Sequence, residues 1–297
     1  MNNLSTNNRT IRTVCLFVVP VALVIFGTLL YPICSSIVMS FTNKIFQFHN
    51  YSFVGFQNYV DAFADPLFWL ALKNSLKLAL IVVTGDLIIG FPIAILLNQD
   101  YAYNKFFRVI LFIPWLIPST VTATIFRWIF NSYYGFFNYY VLKIGIANEP
   151  IEILGDEKLV WVALSASIIW GSFPFVTLVL AASLKSINHN LYEAAKLDGA
   201  NGFQMFRWIT IPSIRSSLVT IVILELIWEI SDYDMVKLMT NGGPYRSTYT
   251  LSLYIFNKAF EEKSIGYAGA VGMIFFFIIF SLTMIFMKVA QERNTNE

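Results

Sequence analysis

The chain has 297 residues, 57% of them hydrophobic and 13% charged, with a mean hydropathy of +0.64. Soluble domains carry about 25% charged residues, so this balance excludes one and indicates a polytopic membrane protein. A net charge of +2 on scattered basic residues offers no patch for a polyanion, and two cysteines with two isolated histidines supply no metal-ligand spacing and no catalytic metal.

Crossing a bilayer as helix takes about 20 apolar residues, because lipid gives backbone groups no hydrogen-bond partner. Taken in chain order, residues 1–13 are a polar tail, and 14–41 form an apolar run longer than the 7–15 residues, roughly, of a signal-peptide core, hence a retained first span. Cys15 and Cys34 both lie in that run, roughly 28 Å apart at ~1.5 Å per helical residue, too far to bridge. His49 follows as a solvated loop residue. Further spans are predicted at 78–97, which carries Asp86, at 109–126, at 159–184, at 216–239 and at 268–287, and a second polar tail occupies 290–297. The six spans and the segments between them make one membrane domain over 14–289, and no internal repeat is found. Six spans put both termini on one side. Ten basic residues, among them Arg9, Arg108 and Lys185, flank that side against six in the opposite loops, or ten if the helix edges are counted, a bias toward cytoplasmic termini.

Between the fourth and fifth spans, residues 186–215 read as helix, turn, helix outside the bilayer. Asn188 or Asn190 caps the start, 191–197 is amphipathic, Asp198-Gly199 supplies a left-handed stop, and 203–209 restarts until Pro212. His189 is read as a second solvated loop residue. The loop resembles the Glu-Ala-Ala motif of permease subunits in binding-protein-dependent ABC importers. The matching residues are Glu193, Ala194, Ala195, Asp198, Gly199, Ala200, Ile209 and Pro212, with Phe206 between them. The resemblance implies that the first short helix docks into a cleft on an ATPase subunit and passes its closure to the membrane helices. Small Ala194 and Ala195 suit close approach, Gly199 fixes an angle, and Glu193 can pair with a basic group. Ser216 and Ser217 stand where that family usually has proline-rich sequence, which leaves the approach to the fifth span open.

Three further pieces are similar to sugar permeases of the carbohydrate-uptake branch: Phe-Val-Gly-Phe-Gln-Asn-Tyr at 53–59, Pro-Trp-Leu-Ile-Pro at 114–118, and Thr-Asn-Gly-Gly-Pro at 240–244 with Ser247-Thr248 behind it. The resemblance runs from about 16 to 288. It implies an all-α fold of six transmembrane helices of the type I importer class and a heteromeric assembly. The expected partners are a second permease, two ATPase subunits and an extracytoplasmic solute-binding protein. No phosphate-binding loop of the GxxxxGK[ST] kind occurs, so ATP and magnesium are expected on the ATPase and no cofactor on this chain.

On the fifth helix Glu225, Trp228, Glu229 and Asp232 fall at i, i+3, i+4 and i+7, one face. Ionisable groups within a span normally face a cavity or a partner. Carboxylates accept hydrogen bonds from sugar hydroxyls, and Trp228 or Tyr233 can cover the apolar face of a pyranose. In maltose-type permeases sugar contacts come from this region and from a Trp-x-x-Phe-Pro stretch, here Trp170, Ser172, Phe173 and Phe175, so the resemblance implies a solute path along both. Two readings of the acids stay open: contact with solute, or pairing with Lys237 or a partner chain. The alternative within the same class is glycerol phosphate or another small polar solute, and the stripe disfavours the anionic ones. The rival from another class is a self-sufficient secondary transporter with Asp86, Glu225 and Glu229 as a cation or proton relay, a type that often shows inverted repeats. No nucleophile–base pair points to an enzyme.

Overall fold

The computed structural model describes residues 16–47, 51–99 and 104–292; the tail 1–13, Cys15, His49 and residues 293–297 lie outside them. The described residues are almost entirely helical, and their packing divides the chain into two compact units, 1–65 with 255–276 and 66–254 with 277–297.

The first unit holds α1 (Leu16–Ser40), α2 (Gln57–Ala64) and the first part of α13 (Ile265–Glu292). α1 is predominantly apolar and none of its most apolar stretch is buried, the surface expected of a helix in lipid. Its end is clamped by the 53–59 motif. Asn58 Nδ2 donates to the carbonyls of Ser40 at 2.8 Å and Thr42 at 2.9 Å, and the Tyr59 hydroxyl meets Ser40 Oγ at 2.7 Å. These bonds satisfy the carbonyl of the last helical residue, which has no partner within the helix, and that of Thr42 just beyond the cap.

In the second unit α3 (Pro66–Leu97) and α7 (Leu159–Lys185) form the central pair. Gly90 permits their approach: a Cβ there would sit 3.2 Å from both Thr177 Oγ1 and Val176 Cγ1. α7 starts where Asp156 Oδ1 accepts from the N–H groups of Lys158 and Leu159, both at 2.8 Å, and those bonds hold its carboxyl below the usual carboxylate range. α3 begins twelve residues before the predicted span, because Lys73, Asn74 and Lys77 interrupt the apolar run without ending the helix. Asn74 and Ser75 anchor the loop after the fifth span. Asn74 Nδ2 donates to the carbonyls of Arg246 and Tyr249, and Ser75 Oγ accepts from Leu251 N at 2.8 Å.

One predicted span is bent within its length, and the fifth is bent at its entry. α4 (Asn104–Leu116) and α5 (Ser119–Ile129) meet at 89° around Ile117-Pro118, where Pro118 is extended at ψ 139 and lacks the N–H that would continue α4. α9 (Gly202–Ser213) and the stretch 215–240 meet at 72°. Helix α10 (Arg215–Ser231) ends within that stretch at Asp232, whose ψ of 121 breaks it before a wide turn at Val236–Thr240. Among the described residues four helices, α1, α3, α7 and α13, are long and apolar enough to cross alone, and counting each bent pair as one span gives six. Between the spans, α6 (Phe136–Lys143) and α12 (Leu251–Phe256) are short connectors.

Two apolar clusters lie along the central pair. One joins Leu78 and Val82 to Leu164 and Ile168, the other Ala94 and Leu97 to Val176 and Leu180. Polar Asp86 and Ser172 occupy the level between them.

Candidate functional site

At that level a cavity of about 300 Å³ opens among α4, α5, α7 and α10, at the lower end of small-molecule sites. Of the predicted path residues, Ser172, Glu225, Trp228, Glu229 and Asp232 line it. Trp170 instead packs edge-on against Phe126, with ring centroids 5.4 Å apart. Phe175 stands between Trp115 and Trp228, at 6.0 and 5.1 Å. Tyr233 packs against the first apolar cluster, and Phe173 contributes its carbonyl to the Thr177 hydroxyl rather than a ring to the cavity wall. Asp232 completes the wall although the helix has already ended; its Oδ1 accepts from Met235 N at 3.2 Å.

Sequence reading missed Trp115, Ile117, Ser119, Thr122, Ser167 and Met235, which also line the cavity. Trp115 and Ile117 belong to the Pro-Trp-Leu-Ile-Pro motif, a signal that was in view. The bend at Pro118 brings them in, and it follows from no periodicity.

Asp86 read in sequence as a solitary acid, grouped with Glu225 and Glu229 only in the rival relay. Here it is fully buried, and Ser172 Oγ donates toward its Oδ1 and Oδ2 at 2.9 and 2.8 Å. The carboxyl of Glu225 faces that of Asp86. Glu225 is 1% exposed and Glu229 7%. Apart from that contact, both oxygens of Glu225 and one of Glu229 are buried with no hydrogen-bond partner among the described residues. A charged residue at the centre of a span costs at least about 2.5 to 3.5 kcal/mol on insertion scales, so this grouping is expensive to fold.

The second candidate surface is the loop after α7. α8 (His189–Leu197) starts at Asn188, whose Oδ1 accepts from Asn190 N at 3.1 Å, so His189 is a helical residue and not the loop residue expected. Its Nδ1 lies 3.3 Å from Glu193 Oε1, and both side chains are mostly exposed. α8 closes in a Schellman motif: Ala200 N donates to the Ala195 carbonyl at 2.9 Å, Gly199 N to that of Lys196 at 3.1 Å, and Gly199 takes φ +80. Asn201 and Gln204 then exchange reciprocal bonds at 2.8 and 2.9 Å, a capping box that starts α9 at once. Asp198 and Ala200 thus fix the turn, and Ala194 is exposed on its outer side.

α9 continues past the predicted stop. A wide turn at Phe206–Thr210 shifts the bonding by one residue, and Pro212 sits inside the helix rather than at its end. Tyr192 and Thr210 hydroxyls meet at 2.8 Å, and Phe206 packs edge-on against Phe91 of α3 at 5.1 Å. The loop is therefore braced against the central helix pair. Its outer surface carries apolar side chains, with Leu197 90%, Phe203 75% and Trp208 72% exposed; Ile209 is half-buried beneath it.

Residues 86–296 match the family described as "Binding-protein-dependent transport system inner membrane component". The chain is 30% identical over 288 residues to the sulfoquinovosyl glycerol transport system permease protein SmoG of Agrobacterium fabrum, covering 94% of this chain and 90% of SmoG. It is 30% identical over 292 residues to the inner membrane ABC transporter permease protein YcjO of Escherichia coli, with 97% of each covered. With the trehalose/maltose transport system permease protein MalF of Thermococcus litoralis it shares 28% over 278 residues, 94% of this chain and 93% of MalF. Among solved structures, a chain of a bacterial ABC transporter involved in the import of the acidic polysaccharide alginate superposes with a TM-score of 0.81 at 21% identity, over 98% of this chain and 99% of that one.

Proposed function

Given that this chain belongs to the binding-protein-dependent transport system inner membrane components, we propose that it moves a sugar across the membrane as the permease subunit of an ATP-driven importer. Its relatives named for sugars support the solute class. The observation that carries the reading is the cavity, where carboxylates and two tryptophans converge at mid-span between two apolar clusters. Carboxylate acceptors with an aromatic wall match the hydroxyl edges and apolar face of a pyranose.

Energy comes from a separate ATPase that binds ATP and magnesium, and α8 is the element that docks on it. Exposed Leu197, Phe203 and Trp208 around Glu193, Ala194 and Ala195 supply an apolar docking surface with one charged group. Force on α8 reaches α3 through Gly199, the Tyr192–Thr210 contact and Phe206 on Phe91. The termini and this loop lie on the cytoplasmic side, a second permease completes the path, and an extracytoplasmic binding protein delivers the solute. The domain 14–289 carries all of this, with the loop 186–215 as its coupling element. A secondary transporter would leave the closed, braced form of that loop without a use.

The test is reconstitution with the ATPase, second permease and binding protein. ATP-dependent sugar uptake is expected, and Glu193→Lys or Gly199→Pro should cut it at least tenfold. Undiminished uptake in both variants sinks the coupling assignment. Glu229→Ala should change solute selectivity while the complex still co-purifies; an unchanged solute dependence returns the acids to a structural role.

A further inference from the structure

The cavity wall has an imbalance of hydrogen-bonding groups. Asp86, Glu225 and Glu229 bring six carboxyl oxygens to one level of the span, and among the described residues the donor aimed at them from outside this group is the single O–H of Ser172, while the Asp86 and Glu225 carboxyls face each other. That hydrogen is also within reach of the Ile168 carbonyl, at 3.0 Å, so it cannot serve every acceptor it faces. Glu225 is 1% exposed and lines the cavity, and apart from the facing Asp86 carboxyl its oxygens have no hydrogen-bond partner among the described residues. No residue lining the cavity is basic. Among the described residues no three acidic, histidine or cysteine side chains are disposed to hold a metal ion.

A neutral sugar would be met as well by Gln, Asn or Ser, none of which carries the cost of a charge in the span. Carboxylates are matched by a cation that brings its own donors, since charge-assisted hydrogen bonds are roughly twice as strong as neutral ones. An ammonium group supplies three N–H donors and one charge, and the tryptophan faces of Trp115 and Trp228 favour a cation near them. The fold does not set the sign of the solute, because the alginate importer that shares it handles an acidic polysaccharide.

Building on the sugar-permease reading, we propose that Glu225, backed by Asp86 and Glu229, is a subsite for a protonated amine on the carried sugar, so that amino sugars pass in preference to their N-acetylated counterparts. The amine donates to the Glu225 carboxylate on its cavity side, where Asp86 stands behind it, and Trp228 covers the sugar ring.

The assembled importer, with its second permease, ATPases and binding protein, is reconstituted in proteoliposomes, and ATP-driven uptake of chitobiose is compared with that of N,N′-diacetylchitobiose. The expected result is a kcat/KM at least tenfold higher for the amine. In Glu225→Gln and in Asp86→Asn that ratio should fall to about twofold or less. The same binding protein serves every sample, so its own selectivity cancels when variant ratios are compared with wild type. A wild-type ratio near one, or a ratio untouched by both substitutions, overturns the subsite and leaves the sugar reading standing. Loss of the second permease from Glu225→Gln on size exclusion, with the ratio unchanged in Asp86→Asn, assigns the carboxylate to a partner's basic group and also overturns it. Uptake of neither saccharide nor of maltose removes the sugar reading and this inference together.

Discussion

Single residues carry much of what the sequence motifs mean. The Phe-Val-Gly-Phe-Gln-Asn-Tyr stretch was legible only as a family resemblance; in the structure its Asn58 closes the end of α1 by donating twice to backbone carbonyls. Removing that amide leaves two buried acceptors unpaired, at about 1–3 kcal/mol. Asn58→Ala should therefore lower the thermal midpoint of the purified complex by several degrees, and Asn58→Asp should not restore it, because a carboxylate has no hydrogen to give. The Thr-Asn-Gly-Gly-Pro motif is likewise structural. Thr248 Oγ1 donates to the Gly243 carbonyl at 2.7 Å and meets Thr240 Oγ1 at 2.8 Å, closing the loop upon itself. Thr248→Val keeps the shape and loses both contacts, and faster proteolysis within 240–250 is the expected reading.

At the scale of elements, the coupling loop is two short helices held at a fixed angle by consecutive caps. Its turn depends on φ +80 at Gly199, a conformation that costs an L residue with a Cβ about 1–2 kcal/mol and that asparagine tolerates best. Gly199→Val should uncouple, with ATP hydrolysis continuing while solute uptake per ATP falls severalfold. Gly199→Asn should keep most of the coupling, measured on the same vesicles. Equal losses in both variants would show that the space around the turn matters and its backbone angle does not. The bends belong to this scale too. Pro118 ends α4 and Asp232 ends α10, and those two breaks bring the Pro-Trp-Leu-Ile-Pro segment and the last acid of the stripe to one cavity.

For the whole molecule the question is which side of the membrane each surface meets. With Cys15 and Cys34 replaced by serine, a single cysteine at Tyr133, which is 90% exposed, should react with an impermeant maleimide in right-side-out vesicles. One at Phe203 should react only in inside-out vesicles, and less when the ATPase is bound. Labelling at Phe203 from outside would reverse the orientation and remove the docking role of α8. Expressed alone, the chain should give no ATP-driven uptake, since it has no phosphate-binding loop.

Hydropathy and loop chemistry by themselves determined the class, the approximate positions of six spans, and the helix–turn–helix between the fourth and fifth. Each follows from local rules: apolar length, cap residues and one obligatory glycine. The face shared by Glu225, Trp228 and Glu229 followed from helical period as well. Periodicity did not reveal that Asp86 faces Glu225, that Trp170 and Tyr233 are spent on packing, or that Trp115 joins the cavity wall. Those outcomes depend on which helices pack together and where two of them break. Only tertiary contacts decide that, because within a single helix an acid that meets another acid reads the same as one that meets lipid, solute or a partner.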